Sequence, residues 1–230
     1  MGMDTGCPAC RKDLRPQTEM ARSRKGNGMK KIKSVFQRNY ETDRLVRDEV
    51  VPGCEWVLAG EGVPTVKFDG SCCAIIDGKF YKRYDAKRGK TPPVGFIPAQ
   101  EEDQITGHRP GWVEIKEDDP ASKWFCEARK NAEEYFGTLS DGTYEAIGIH
   151  FQGNAERLDC DTLVRHGALV LGNDIPRSFE GLRDYLKTHY IEGIVFHREN
   201  GDMAKIKRVD FGFEWNGKTK KQKEVKRNEK

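Results

Sequence analysis

Val66-Lys67-Phe68-Asp69-Gly70-Ser71-Cys72-Cys73-Ala74-Ile75-Ile76-Asp77-Gly78-Lys79-Phe80-Tyr81-Lys82-Arg83-Tyr84 reads as two strand-like runs, Val66 to Ile76 and Lys79 to Tyr84. Asp77-Gly78 joins them, and Asp-Gly between β-rich runs marks a tight hairpin. The rest of the chain continues in the same style. Thr143 to Phe151, Leu163 to Leu171, Ile191 to Arg198 and Met203 to Arg208 read as strands, the last two separated by the turn Glu199-Asn200-Gly201-Asp202. Two stretches carry helical spacing. Ala121 to Phe136 places Trp124, Phe125, Ala128, Ala132 and Tyr135-Phe136 on a broad apolar face. Ser178 to His189 opens on an N-cap serine and turns Leu182, Tyr185 and Leu186 inward. Strands dominate and hairpins outnumber βαβ units, so the expected class is α+β with largely antiparallel sheets and a few flanking helices.

The two ends differ from this middle. Residues 1–28 are polar, with Pro8, Pro16 and the run Ser23-Arg24-Lys25-Gly26-Asn27-Gly28, and read as a flexible leader or tag-like extension. Cys7-Pro8-Ala9-Cys10 invites a zinc reading, but a four-ligand site needs a second pair that does not follow; the other reading is a solvated thiol pair. Residues 217–230 hold seven Lys/Arg against two Glu and read as a basic flexible tail, either simply solvated or attracted to nucleic-acid phosphates. Residues 29–216 are left as the folded domain.

Composition narrows the function classes. With 40 Lys+Arg against 37 Asp+Glu the net charge is only +3, so a nucleic-acid surface must be a local patch. No run of about 18 apolar residues occurs, so no transmembrane helix and no membrane partner are expected. Seven cysteines, an odd number with irregular spacing, fit reduced thiols in a cytoplasmic or otherwise intracellular compartment.

Four clusters carry chemistry. Lys67 follows the apolar Pro64-Thr65-Val66. A lysine amine, with a pKa of about 10.4, attacks only after losing its proton, through burial or neighbouring positive charge. Asp69, two residues on, shares its face if the strand runs on, and Gly70 leaves room for a ligand against the backbone. The alternative is an exposed strand lysine. Lys205 and Lys207 alternate along a strand and so project to one face. Such a pair repels unless an anion such as phosphate lies between, or else decorates a solvent-facing edge. Glu192, before Gly193-Ile194-Val195-Phe196, and Glu145, within Tyr144-Glu145-Ala146-Ile147-Gly148, are candidates to hold Mg²⁺ or a ribose hydroxyl, or are surface acids at strand ends.

In combination and in this order the clusters resemble the covalent nucleotidyltransferase superfamily of ATP-dependent RNA ligases, DNA ligases and mRNA capping enzymes. Lys67-Phe68-Asp69-Gly70 is similar to its motif I, Glu145-Ala146-Ile147-Gly148 to motif III, Glu192-Gly193-Ile194-Val195 to motif IV and Lys205-Ile206-Lys207 to motif V. The run Lys67 to Cys73, with Ile97-Pro98-Ala99, Pro110-Gly111-Trp112-Val113, His166-Gly167-Ala168 and Glu192 to His197, most resembles the small animal-type 5′-3′ RNA ligase family, over roughly Val51 to Trp215. Two departures set it apart from DNA ligases. Cys72 and Cys73 stand where those enzymes carry a ribose-contacting arginine, leaving Arg83 on the next strand as the substitute or as a plain exposed residue, and no appended OB domain is expected.

The resemblance implies an adenylation domain in which Lys67 takes AMP from ATP and passes it to an RNA 5′-phosphate, after which a 3′-hydroxyl seals the strand and AMP leaves. ATP binding would fall to Lys67, Asp69, Gly70, Arg83, Glu145, Glu192, Lys205 and Lys207, and Mg²⁺ or Mn²⁺ to Glu192 or Glu145. RNA with 5′-phosphate and 3′-hydroxyl ends is the implied partner. Rival readings are a GTP-using capping-type enzyme, a protein adenylyltransferase and an RNA-binding module without catalysis.

Overall fold

The computed structural model describes residues 31–104 and 106–216. The leader 1–28 with its Cys7/Cys10 pair and the tail 217–230 lie outside the described residues. Between them the chain forms, in order, β1 (Lys33–Ser34), β2 (Phe36–Arg38), β3 (Val46–Val50), α1 (Glu55–Leu58), β4 (Val63–Lys67), β5 (Ser71–Ile76), β6 (Lys79–Ala86), β7 (Ile97–Pro98), β8 (Arg109–Glu114), α2 (Lys123–Phe136), β9 (Gly142–Ile147), β10 (Thr162–Arg165), α3 (Phe179–Thr188), β11 (Gly193–His197) and β12 (Met203–Lys207). This is a mixed α+β fold, and every strand pair but one is antiparallel among the described residues. No helix among them is long and apolar enough to cross a membrane.

The span read as one domain divides into two compact units. One comprises residues 32–68 and 169–216. Its four-stranded sheet runs β1-β12-β11-β4, with β1 parallel to β12, and β2 and β3 form a separate ribbon. One sheet face is apolar: Ile194 and Phe196 of β11 and Ala204 and Ile206 of β12 are wholly buried with Val35, Phe36, Val57, Leu182 and Leu186. The last two come from α3, whose N-cap Ser178 accepts a hydrogen bond from the Gly181 backbone N–H, as its sequence predicts.

The other unit holds residues 69–168 and the six-stranded sheet β10-β9-β5-β6-β8-β7. Asp77 and Gly78 turn β5 into β6 with φ of 50° and 75°, the positive pair that a two-residue hairpin requires. Helix α2 covers one face. Ala128 and Ala132 are fully buried and small enough to let the helix lie close to Cys73, Ile75, Tyr144, Ala146 and Leu163. The opposite face buries Ala74, Ile76, Tyr81, Ala99 and Trp112.

The structure breaks two of the expected strands. The run Val66 to Ile76 is not continuous: Lys67 is the last residue of β4 paired with β11, and Ser71 is the first of β5 paired with β9. Phe68 to Gly70 carry the chain from one sheet to the other, so Asp69 does not share a strand face with Lys67. The run Leu163 to Leu171 divides in the same way. Its first part is β10, and its last residues bond to β4 through the Val66 N–H to the Leu169 carbonyl and the Leu171 N–H to the Pro64 carbonyl, both 2.9 Å. In each run the apolar residues on the two sides of the break serve different sheets.

Candidate active site

In the first unit the strand register gathers the lysines. Gly193 of β11 lies opposite Lys67 on one side and Lys207 on the other, and Val195 lies opposite Thr65 and Lys205. Residues directly across a ladder share a face. Lys67, Lys205 and Lys207 therefore rise from the face opposite the apolar core. Lys67 and Lys207 stand two strand spacings apart, roughly 10 Å between backbones, with a glycine between them.

Glu192 fills that interval. It is 4% exposed. One carboxylate oxygen lies 2.5 Å from Lys67 Nζ and the other 3.2 Å from Lys207 Nζ. Lys67 Nζ also donates to the Phe68 carbonyl at 3.2 Å. Glu192 thus bridges Lys67 and Lys207, not the pair Lys205 and Lys207 between which an anion was expected. The chain holds this carboxylate in place through backbone contacts: Arg208 N–H donates to the Glu192 carbonyl at 2.8 Å, and a Cβ on Gly193 would stand 2.3 Å from the Ile206 carbonyl oxygen. Only glycine lets β11 approach β12 so closely.

The charges do not cancel. Three ammonium groups surround one carboxylate. Asp210, fully buried, is engaged by Arg38 at 2.9 Å and by the Lys207 backbone N–H at 3.1 Å, so it orients the strand end. The Lys205 side-chain amine has no hydrogen-bond or ion-pair partner among the described residues. Burial first, then the charges of Lys67 and Lys207, press its pKa down from 10.5 to about 8. Lys67 and Lys207, by contrast, share Glu192. A partly buried cation beside two more is a site for a multiply charged anion, phosphate being the natural one.

A second cluster occupies the other unit. On the face of the six-stranded sheet away from α2, Cys72 of β5 lies opposite Glu145 of β9, and Arg83 of β6 lies opposite Trp112 of β8, its guanidinium 5.0 Å from the ring centre. Burial lowers the Arg83 pKa, and its Nη1 has no hydrogen-bond partner among the described residues. Glu145 accepts from the Gly70 N–H at 3.1 Å and meets His166 Nε2 at 2.8 Å. The Asp69 N–H donates to Glu156 at 3.1 Å. Gly70 also lies tight against the fold. A Cβ there would lie 2.1 Å from the Ala146 carbonyl oxygen and 2.7 Å from Ile147 Cγ2, so the glycine admits the neighbouring strand. Gly70→Ala is expected to destabilise the protein by about 2–3 kcal/mol, seen as a lower midpoint of chemical unfolding.

Of the expected site residues, Lys67, Glu192, Lys205 and Lys207 come together in one unit, and Asp69, Gly70, Arg83 and Glu145 belong to the other. Sequence reasoning passed over Asp210, Arg38, Glu156, His166 as a partner of Glu145, and Gly193 as the spacer. Gly193 was the legible one, since glycine inside an apolar strand signals a close backbone approach.

Neither carboxylate forms a resident Mg²⁺ cage. Both oxygens of Glu192 face ammonium groups, which a cation would have to displace, and Glu145 sits among a thiol and an imidazole, whereas Mg²⁺ takes oxygen ligands. No model of a known protein family matches the chain. It is similar to two curated proteins named RNA ligase 1: that of Pongo abelii, at 24% identity with 66% of this chain and 68% of that protein covered, and that of Rattus norvegicus, at 25% identity with the same shares covered.

Proposed function

We propose that the chain is an ATP-dependent RNA ligase of the covalent nucleotidyltransferase superfamily, joining 5′-phosphate and 3′-hydroxyl RNA ends through a lysyl-AMP intermediate. The observation that carries this reading is the set of three lysines on one sheet face around a single buried glutamate, with Lys67 at 2.5 Å from it. The likeness to two proteins named RNA ligase 1 supports the RNA-joining part.

In the first step Lys67, as the neutral amine, attacks the α-phosphorus of ATP. A nitrogen–phosphorus bond forms, the bond to the bridging oxygen breaks, and pyrophosphate leaves. Glu192 is placed to take the proton that Lys67 gives up, directly or through water, and Lys205 and Lys207 offset the charge gathering on the α-phosphate. In the second step an oxygen of the RNA 5′-phosphate attacks the same phosphorus and the lysine departs as an amine. In the third the 3′-hydroxyl attacks the activated 5′-phosphate, the phosphodiester forms and AMP leaves. Positioning and charge neutralisation supply most of such catalysis. The proposal also assigns Asp69, Gly70, Arg83 and Glu145 to ATP binding. Mg²⁺ would enter with the nucleotide phosphates and not as a metal held by Glu192 or Glu145.

The test is intact mass after incubation with ATP and Mg²⁺, followed by addition of a nicked RNA hairpin. One AMP is expected on the protein, lost again as the nick closes. An adduct formed from GTP but not ATP would move the chain to the capping-type readings. RNA binding with no adduct from either nucleotide would leave a binding module.

A further inference from the structure

We propose that Cys72, Glu145 and His166 form a three-ligand site for a thiophilic divalent cation of the Zn²⁺ class, with the fourth coordination position open. One ligand atom from each, a thiol sulfur, a carboxylate oxygen and an imidazole nitrogen, lies within 4.8 Å of the other two. That spacing is close to what a tetrahedral ion draws together, with zinc–sulfur near 2.3 Å and zinc–nitrogen or zinc–oxygen about 2.0–2.2 Å.

The fold places the three independently of any metal. Cys72 and Glu145 are cross-strand partners on β5 and β9. His166 follows β10, and its backbone N–H bonds to the Thr143 carbonyl at 3.0 Å, which fixes where its ring begins. The Gly70 N–H holds one oxygen of Glu145 and leaves the other toward His166. This is the outer support that orients a metal-binding carboxylate. All three side chains are partly buried, and the His166 Nδ1 is buried with no hydrogen-bond partner among the described residues.

The donor set selects the ion. Thiolate and imidazole favour zinc over magnesium or calcium. A thiolate and a carboxylate together neutralise a divalent charge. The charge of Arg83 interacts with that of Cys72, and binding zinc itself selects the deprotonated thiol. Three protein ligands with one open place describe an exchangeable site and not a closed structural one. The proposed metal site shares Glu145 with the proposed nucleotide site, but cobalt binding is read with neither ATP nor RNA present, so its failure and the failure of the ligase reading are told apart.

Cobalt(II) is the probe. It is titrated into the reduced full-length chain carrying Cys7→Ser and Cys10→Ser, so that the N-terminal pair contributes nothing. Near-ultraviolet thiolate-to-cobalt absorption with visible bands of tetrahedral strength, saturating at one equivalent and displaced by Zn²⁺, is the expected result. Cys72→Ser should remove the ultraviolet band, and His166→Gln should weaken binding and shift the visible bands. Both variants are to be compared by thermal unfolding without metal, and a variant that fails to fold is replaced by Glu145→Gln, for which weaker cobalt binding is expected. Absence of a thiolate band, or a band unchanged by Cys72→Ser, would overturn the proposal.

Discussion

Lys67→Arg is expected to abolish the AMP adduct as completely as Lys67→Ala, a loss on the order of 10⁴-fold or more in its rate of formation. The arginine variant is the sharper test. Lys67 is ion-paired to Glu192, so alanine removes a nucleophile and also leaves a buried carboxylate with one partner fewer. Such a loss alone has a cost to structure and to phosphate binding. Arginine keeps the positive charge and the pairing with Glu192, but its guanidinium does not give up a proton in proteins and has no free amine to offer. If Lys67 serves only to neutralise phosphate, Lys67→Arg keeps most of the adduct-forming activity and some other residue carries AMP. If Lys67 is the nucleophile, the variant still binds an ATP analogue blocked at the α–β bridge yet never gains mass. Mapping the modified peptide in the parent protein closes the argument: the label belongs on the segment containing Lys67, and its appearance elsewhere would end the assignment.

What the sequence disclosed depended on the range of the interaction involved. The Asp77-Gly78 hairpin, the Ser178 cap of α3 and the common face of Lys205 and Lys207 are set by residues a few positions apart, and each stands in the structure as read. The breaks at Phe68–Gly70 and after Arg165 were not legible. Both lie inside runs of strand-forming residues, and only pairing partners far along the chain show that two different sheets are served, as Gly193 for Lys67 and Ala146 for Ser71 do at the first break. The short strands β1 to β3 escaped notice because Lys33 to Val50 mixes charged and apolar residues without sustained alternation. In the site, the order of the motifs named the lysines and glutamates. Which ammonium meets which carboxylate is a matter of register across 125 residues for Lys67 and Glu192, and no local pattern encodes it. The isolation of Lys205 had the same cause: burial of an amine depends on what packs around it, not on its neighbours in sequence.

Lys205→Met is expected to make the protein more stable and less able to bind nucleotide. The folded-state pKa of Lys205 is about 8 against 10.5 in its ordinary state, with burial the main cause and Lys67 and Lys207 adding to it. Below pH 8 the amine is protonated in both the folded and the unfolded chain, so the folded state bears the full cost of holding the charge. Between pH 8 and 10.5 the folded protein has released the proton while the unfolded chain still binds it. Stability therefore rises with pH through that window as the cost is relieved. The shift sets a ceiling of about 3 kcal/mol on this cost at neutral pH, and methionine, which keeps the alkyl stem without the charge, should recover roughly 1–2 kcal/mol of it. Denaturant unfolding at pH 7 and pH 10 measures both parts: the variant should be the more stable at pH 7, and the gap should narrow at pH 10. Affinity should move the other way. Losing a charged donor to phosphate costs on the order of 10- to 100-fold in binding of the blocked ATP analogue. The same titration explains why the parent protein should bind that analogue less tightly as pH rises above 8, whereas Lys205→Arg, which stays charged, should not. A Lys205→Met variant that is less stable at pH 7 and binds the analogue as before would mean that this amine serves the fold, and that the anion the other two lysines await does not reach it.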